Sequence, residues 1–384
     1  MPPMMPQADR RGLAVRLAER IAREGPLDFA EFMRACLYDP DAGYYAAGSS
    51  PFGAGGDFIT APELTPLFGR SLARLLAPAL KRLRRPLLRE LGPGSGALIA
   101  ALLPALEALE ALPERVELVE PSRARREEQR ARLAALPASL AARLVWTERP
   151  ELTTAEGVVV ANEVLDALPV RRFLLSEEGL FALAVDFDGR RFRWRPVPAD
   201  SALARAVEDL LARLPEPLPR PYTSELCPGL ADFLRIALAG IEKGAALFID
   251  YGYPRREYYH PLRRMGTLVA HRGHRPSPDP LSDPGAQDLS AFVDFSALAE
   301  ALEALDWAPV GFLSQAECLI GAGLLEELAA LPARGGEYHA AAAAVKRLIL
   351  PGEMGERFRV LLAAREMSAP FPQWPGAAAG LERL

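Results

Sequence analysis

The chain has 384 residues, with 45 Lys+Arg against 50 Asp+Glu and a formal charge of −5. Half the residues are hydrophobic, which suits a large globular core and excludes a disordered chain. The mixed charge leaves no general footprint for nucleic acid, and no uninterrupted apolar run reaches transmembrane length.

The length predicts two domains, or one large domain with insertions. The start, MPPMMPQADRRG, has neither an apolar signal core nor an amphipathic presequence, and it reads as cytoplasmic. Residues 13–24 form an amphipathic helical pattern stopped by Gly25-Pro26. A second helix is expected over 28–37, with Asp28 as N-cap and Glu31 at capping-box spacing. Residues 38–63 make a glycine- and aromatic-rich loop, long enough to suggest function, and helical periodicity resumes over 63–80.

From residue 86 strands and helices alternate. Strands are expected at 87–91, 115–119, 143–146 and 157–161, with an apolar helix at 97–111 and a charged helix at 122–136. Such alternation means a parallel α/β sheet. The arginines and glutamates of 122–136 interleave, as on a solvated, ion-paired face. Residues 170–197 read instead as antiparallel strands turning at Glu178-Gly179 and Asp188-Gly189. With the helical stretch and proline-rich linker that follow, 170–222 reads as an insertion. The α/β theme returns with a helix at 229–241 and a strand at 245–250. After a loop-rich stretch (251–294) come a helix at 295–305 and a strand near 308–313. Residues 346–366 add a last helix end, turn and strand. The expected division is 1–85 (helical cap and loop), 86–169 (first half of the core), 170–222 (insertion), 223–367 (second half) and 368–384 (tail).

The strongest chemical signal is Glu90-Leu91-Gly92-Pro93-Gly94-Ser95-Gly96, set between a strand and a helix. Three glycines let the backbone turn tightly and approach a ligand, with free helix N–H groups behind them. The second strand ends in Glu120, where an acid can accept both hydroxyls of a ribose. Gly92, Gly94 and Ala97 also satisfy a dinucleotide fingerprint, so an NAD(P)-dependent oxidoreductase is an alternative. Glu90 favours S-adenosylmethionine, because it suits an ammonium group and would repel a pyrophosphate. Trp146, ending the third strand, could stack on adenine or pack in the core. The fourth strand runs into Asn162-Glu163-Val164-Leu165-Asp166-Ala167-Leu168-Pro169, at the carboxyl end that faces the ligand crevice of an open α/β sheet. Asn162, the chain's only asparagine, with Glu163 and Asp166, forms a candidate methyl-transfer set; Asn162 also fits a helix N-cap.

These strings, together with LYDPDAGYY (37–45), GDFITAPELTPLFG (56–69), FIDYGYP (248–254) and PGEMGERFRVL (351–361), resemble the MidA-like family of class I methyltransferases. Mitochondrial members of that family are protein arginine methyltransferases acting in respiratory complex I assembly. The resemblance implies a Rossmann-like class I methyltransferase sheet with an N-terminal helical and loop cap and an inserted antiparallel β plus helical subdomain. It implies that Glu90, Gly92, Pro93, Gly94, Gly96 and Glu120 hold S-adenosyl-L-methionine. The loop from Gly56 to Thr60 would lie over the cofactor. Asn162, Glu163 and Asp166, with Asp57 as a further carboxylate, would line the transfer side. A protein substrate offering arginine is implied, without nucleic acid or membrane insertion, and a homodimer is left open. Phe292 stands where the family usually carries His. A non-catalytic assembly chaperone on the same fold is the other alternative. His271 and His274 have no third ligand at metal-site spacing, and the scattered Cys36, Cys227 and Cys318 read as core, so no metal is expected.

Overall fold

The structure, a computed structural model, describes residues 10–45, 60–272, 275–332, 335–371 and 377–384. Two helices, α1 (Arg10–Glu24) and α2 (Phe29–Tyr38), open the fold. Asp28 caps α2 by accepting the Ala30 N–H. After α3 (Ala61–Leu64), the Thr65 hydroxyl takes the Leu67 N–H and Pro66 begins α4 (Pro66–Leu80). The alternating region builds β1 (Leu87–Leu91), α5 (Ala97–Ala108), β2 (Arg115–Val119), α6 (Arg123–Leu133), β3 (Leu144–Thr147) and β4 (Ala155–Asn162). The inserted strands are β5 (Arg171–Ser176), β6 (Gly179–Phe187), β7 (Phe192–Pro198) and β8 (Tyr222–Leu226). The remaining strands are β9 (Ile241–Tyr253), β10 (Val269–Arg272), β11 (Arg275–Pro276), β12 (Asp288–Ser290), β13 (Val293–Asp294), β14 (Ala308–Ser314) and β15 (Phe358–Arg365).

The central sheet runs β14-β15-β9-β4-β1-β2-β3, with β13 also paired to β9. From β3 to β9 neighbouring strands are parallel; β15 and then β14 run antiparallel. Every residue of β1 is buried, as expected of a strand covered on both faces. On one face α4 and α5 pack Phe68, Leu72, Leu102 and Leu103 against the sheet. On the other, the helices at Leu230–Ala237 and Phe295–Glu303 contribute Leu234, Phe295 and Leu298. The chain winds outward from β1 to β2 and β3, then returns to the far side of β1 as β4. That reversal opens a crevice at the carboxyl ends of β1 and β4.

The insertion forms its own antiparallel sheet, β7-β6-β5-β8, covered by the helix Ser201–Ala212. Its edge strand β8 begins at the last residue of the expected insertion and runs past that boundary, because only its pairing with β5 makes residues 222–226 a strand. α1 and α2 pack on this sheet through Phe29, Phe32, Val185 and Phe192. Within the loop-rich stretch β10, β11 and β12 form a small sheet. The stretch expected as a tail docks instead. Ala377–Arg383 is a 3-10 helix, Leu381 and Leu384 pack on the second core face, and Ser296 Oγ donates to the Leu384 carbonyl at 3.2 Å.

Candidate active site

The site begins where β1 ends. Successive β-strand residues face opposite sides, so Arg89 points to the layer of Leu230–Ala237 and Glu90 to that of α4 and α5. Glu90 is 4% exposed, and its Oε2 has no hydrogen-bond partner among the described residues. Burial alone pushes its carboxyl up to about 8. Gly92, Gly94 and Gly96 have φ of 57°, 54° and 83°, a left-handed region that glycine adopts without a Cβ penalty. A Cβ on Gly92 would stand 3.1 Å from Val164 Cγ2, so this turn lies directly against the segment leaving β4. Ser95 Oγ donates to Glu63, and Arg132 bonds the same carboxylate at 2.7 Å, joining α3 and α6 to the turn.

At the end of β2, Glu120 Oε1 accepts the Ser122 N–H at 2.8 Å, and Oε2 accepts from Gln129 at 3.3 Å. Burial raises its carboxyl; these bonds and nearby arginines oppose the rise. Trp146 on β3 donates its indole N–H to Gln129 Oε1 at 3.1 Å, and the Arg130 guanidinium stacks 4.9 Å over its ring. It also packs against the main core.

Asn162 closes β4 and is no helix cap, because the chain turns rather than coils after it. Its Nδ2 donates to Glu163 Oε1 at 3.1 Å, and its buried Oδ1 has no partner among the described residues. Glu163 adopts φ 55° and also accepts the Ala61 N–H at 3.2 Å, which brings α3 over the site. Burial, then the neighbouring Asp166 charge, pushes Glu163 up to about 8. Asp166 is buried and raised well above the usual range, by burial and then by Asp250 and Asp288.

A cavity of about 40 Å³ joins these groups. Glu90, Gly92, Gly94, Asn162, Glu163 and Thr60 line it, and Pro93 borders it too. Glu120, Trp146 and Asp166 lie outside its lining. Asp57, the loop 56–59 and His274 lie outside the described residues. The lining suits the amino-acid end of S-adenosylmethionine. Two buried acceptor oxygens without partners among the described residues, Glu90 Oε2 and Asn162 Oδ1, match an ammonium, which only donates. The Cβ-free turn beside them leaves backbone open to close approach.

Three polar residues near the site escaped the sequence pattern. Asp250, fully buried on β9, accepts the N–H groups of Val164, Leu165 and Asp166 on Oδ2 at 2.8–3.2 Å and that of Tyr251 on Oδ1 at 2.8 Å. It shapes the turn that carries Glu163 and Asp166, and an aspartate at a strand's carboxyl end was the available signal. Asp288 accepts from Tyr45 Oη at 2.9 Å and Ser290 Oγ at 3.0 Å, facing Asp166 across the insertion boundary. Gln129 is the third. Phe292 packs between Tyr251 and Tyr253, with ring centroids 5.7 Å from each.

Residues 71–313 match a family described as "putative S-adenosyl-L-methionine-dependent methyltransferase". A Drosophila melanogaster relative named protein arginine methyltransferase NDUFAF7 homolog, mitochondrial, is 30% identical over 76% of this chain and 70% of its own. The Mus musculus protein arginine methyltransferase NDUFAF7, mitochondrial, is 30% identical over 89% and 82%. A Burkholderia thailandensis structure bound to S-adenosyl-homocysteine superposes with a TM-score of 0.89, at 37% identity and 98% coverage of each chain. The α/β methyltransferase sheet expected from the sequence is thus the fold found. The expectation of a cytoplasmic protein is corrected, since these relatives are named as mitochondrial.

Proposed function

The chain belongs to the S-adenosyl-L-methionine-dependent methyltransferases, and on that premise we propose that it methylates an arginine side chain of a protein partner. The observation that carries this reading is the pair Glu163 and Asp166, buried acids at the carboxyl end of β4 with no ion pair among the described residues. Bound S-adenosylmethionine supplies an activated methyl group on a cationic sulfur. Glu90 and Asn162 would hold its ammonium, and Glu120 would accept hydrogen bonds from its ribose hydroxyls.

A guanidinium stays protonated at ordinary pH and must approach a second cation. Carboxylates are needed to hold it, offset the repulsion and receive its proton. A cation beside Glu163 pulls its carboxyl back down from about 8, so arrival of the substrate itself charges the acid. Glu163 then takes the guanidinium proton, while Asp166, with Asp288 behind it, orients the other nitrogens. The positive φ of Glu163 and the grip of Asp250 on the next three N–H groups keep this acid at one place. The arginine-methylating activity in the relatives' names supports the choice of acceptor.

The test is transfer of a radiolabelled methyl group from S-adenosylmethionine into lysate proteins, with mass spectrometry of the labelled site. Methylarginine is the expected product. Label on another residue type overturns the acceptor assignment, and no label with wild type favours a non-catalytic chaperone.

A further inference from the structure

Gln129 sits on α6, a helix that is otherwise strongly charged, yet it is fully buried. Its amide bonds three separate elements. Nε2 donates to the Gly94 carbonyl at 2.9 Å and to Glu120 Oε2 at 3.3 Å, while Oε1 accepts the Trp146 indole N–H at 3.1 Å. These partners decide which way the amide points, because an indole N–H only donates, and a backbone carbonyl and a carboxylate only accept. A planar group with two donors and one acceptor is required at this reach. Glutamate would set an acceptor against two acceptors, and methionine would leave all three partners unpaired.

Through these bonds the glycine turn and the acid at the end of β2 become one unit. Glu120 is held at both oxygens, by Ser122 N–H and by Gln129, which sets the plane of its carboxylate. A carboxylate has about four acceptor positions, so each oxygen keeps a lone pair for a hydroxyl. We propose that Gln129 is a positioning residue for the adenosine half of the cofactor, aligning Glu120 with the Gly94 peptide so that both meet the nucleoside together. This rests on the reading of the Gly92–Gly96 turn and Glu120 as the cofactor site.

The test is calorimetry of the full chain with S-adenosylhomocysteine and with adenosine. Gln129→Glu is expected to weaken both ligands about 10- to 100-fold at pH 8, the scale of a buried acceptor left unpaired. Part of the loss should return at pH 6, where the introduced carboxyl is protonated and can donate again. Gln129→Met should weaken both without recovery at pH 6. Glu90→Gln, by contrast, should weaken S-adenosylhomocysteine and leave adenosine within about 2-fold, since only the former carries the ammonium. A merely structural role would instead lower the unfolding midpoint of both Gln129 variants while leaving the folded variants' affinity for both ligands at the wild-type value, and that outcome overturns the proposal. If Gln129→Glu does not fold, Gln129→Asn, one methylene shorter, serves as the polar variant, and wild-type affinity there has the same meaning. Unchanged affinity in Gln129→Glu, beside normal wild-type binding, overturns this proposal alone. Absence of binding by wild type overturns the cofactor-site reading and this proposal with it.

Discussion

Arg89 and Glu90 are neighbours on one strand, both buried, and their surroundings differ completely. Arg89 is 0% exposed and Glu117 1%, with Nε to Oε2 at 2.5 Å. The remaining Arg89 donors reach the carbonyls of Ala237, Ala239 and Glu151, while Glu117 Oε1 takes the Glu151 N–H. Glu90, one residue on, has an oxygen with no partner among the described residues. An ion whose donors and acceptors are met inside the protein contributes to architecture. A buried charge left unmatched destabilises the fold unless a ligand completes it. The first lies under the sheet and the second at the switch point, beside Asn162 and Glu163.

The sharpest way to break this contrast is Arg89→Met. It should cost about 3–5 kcal/mol by stranding Glu117, read as an early denaturant midpoint. Replacing both partners, Arg89→Met with Glu117→Leu, should recover most of that loss; no recovery would mean the pair is not self-contained.

On the ligand side, Glu163→Gln should lower methyl transfer by about 10²–10⁴-fold, the usual range for a lost general base, with S-adenosylhomocysteine affinity little changed. Single-turnover rates beside calorimetry check both halves. Because Glu163 is raised to about 8 in the free protein, wild-type kcat/KM for the protein substrate should climb with pH between 7 and 9, and the variant should lack that limb.

Glu90→Gln should separate stability from function. Its folded carboxyl titrates near 8, against 4.5 ordinarily, so the folded state binds more protons than the unfolded state between those values. Stability therefore falls as pH rises across that window. The variant should lose this slope and unfold later than wild type at pH 8, while S-adenosylhomocysteine binds about 10-fold or more weakly. A steeper slope in the variant would contradict the assignment.

The smallest effect is expected from Asn162→Asp. It replaces an N–H donor to Glu163 with a second carboxylate, and like charges raise one another. The alkaline limb of the rate profile should move up by about one pH unit. An unmoved limb would reduce the chain's single asparagine to an accident of composition.

Much of the scaffold was legible because its signals are local. Apolar runs separated by helical periodicity marked β1, β2, β3 and β4, and the triple glycine marked the turn, since only a left-handed backbone fits there. β8 was hidden because its strand character depends on β5, some fifty residues away in the chain. The docked C-terminal 3-10 helix was hidden likewise, since a short apolar segment does not show what it packs against.

The sequence by itself determined the family, the sheet and the residue types gathered at the ends of β1, β2 and β4, because backbone sterics and strand periodicity act over a few residues. Only the tertiary structure decided which charges are answered. Arg89 and Glu90 look alike as buried ions in a five-residue string. Their partners come from Glu117, Glu151 and Ala237 for one and from no described residue for the other. In the same way Asp250 and Gln129 acquire their roles through bonds to segments far along the chain. Hydrogen-bond satisfaction is a property of assembled elements, and so the distinction between a structural charge and one kept for a ligand exists only in the folded molecule.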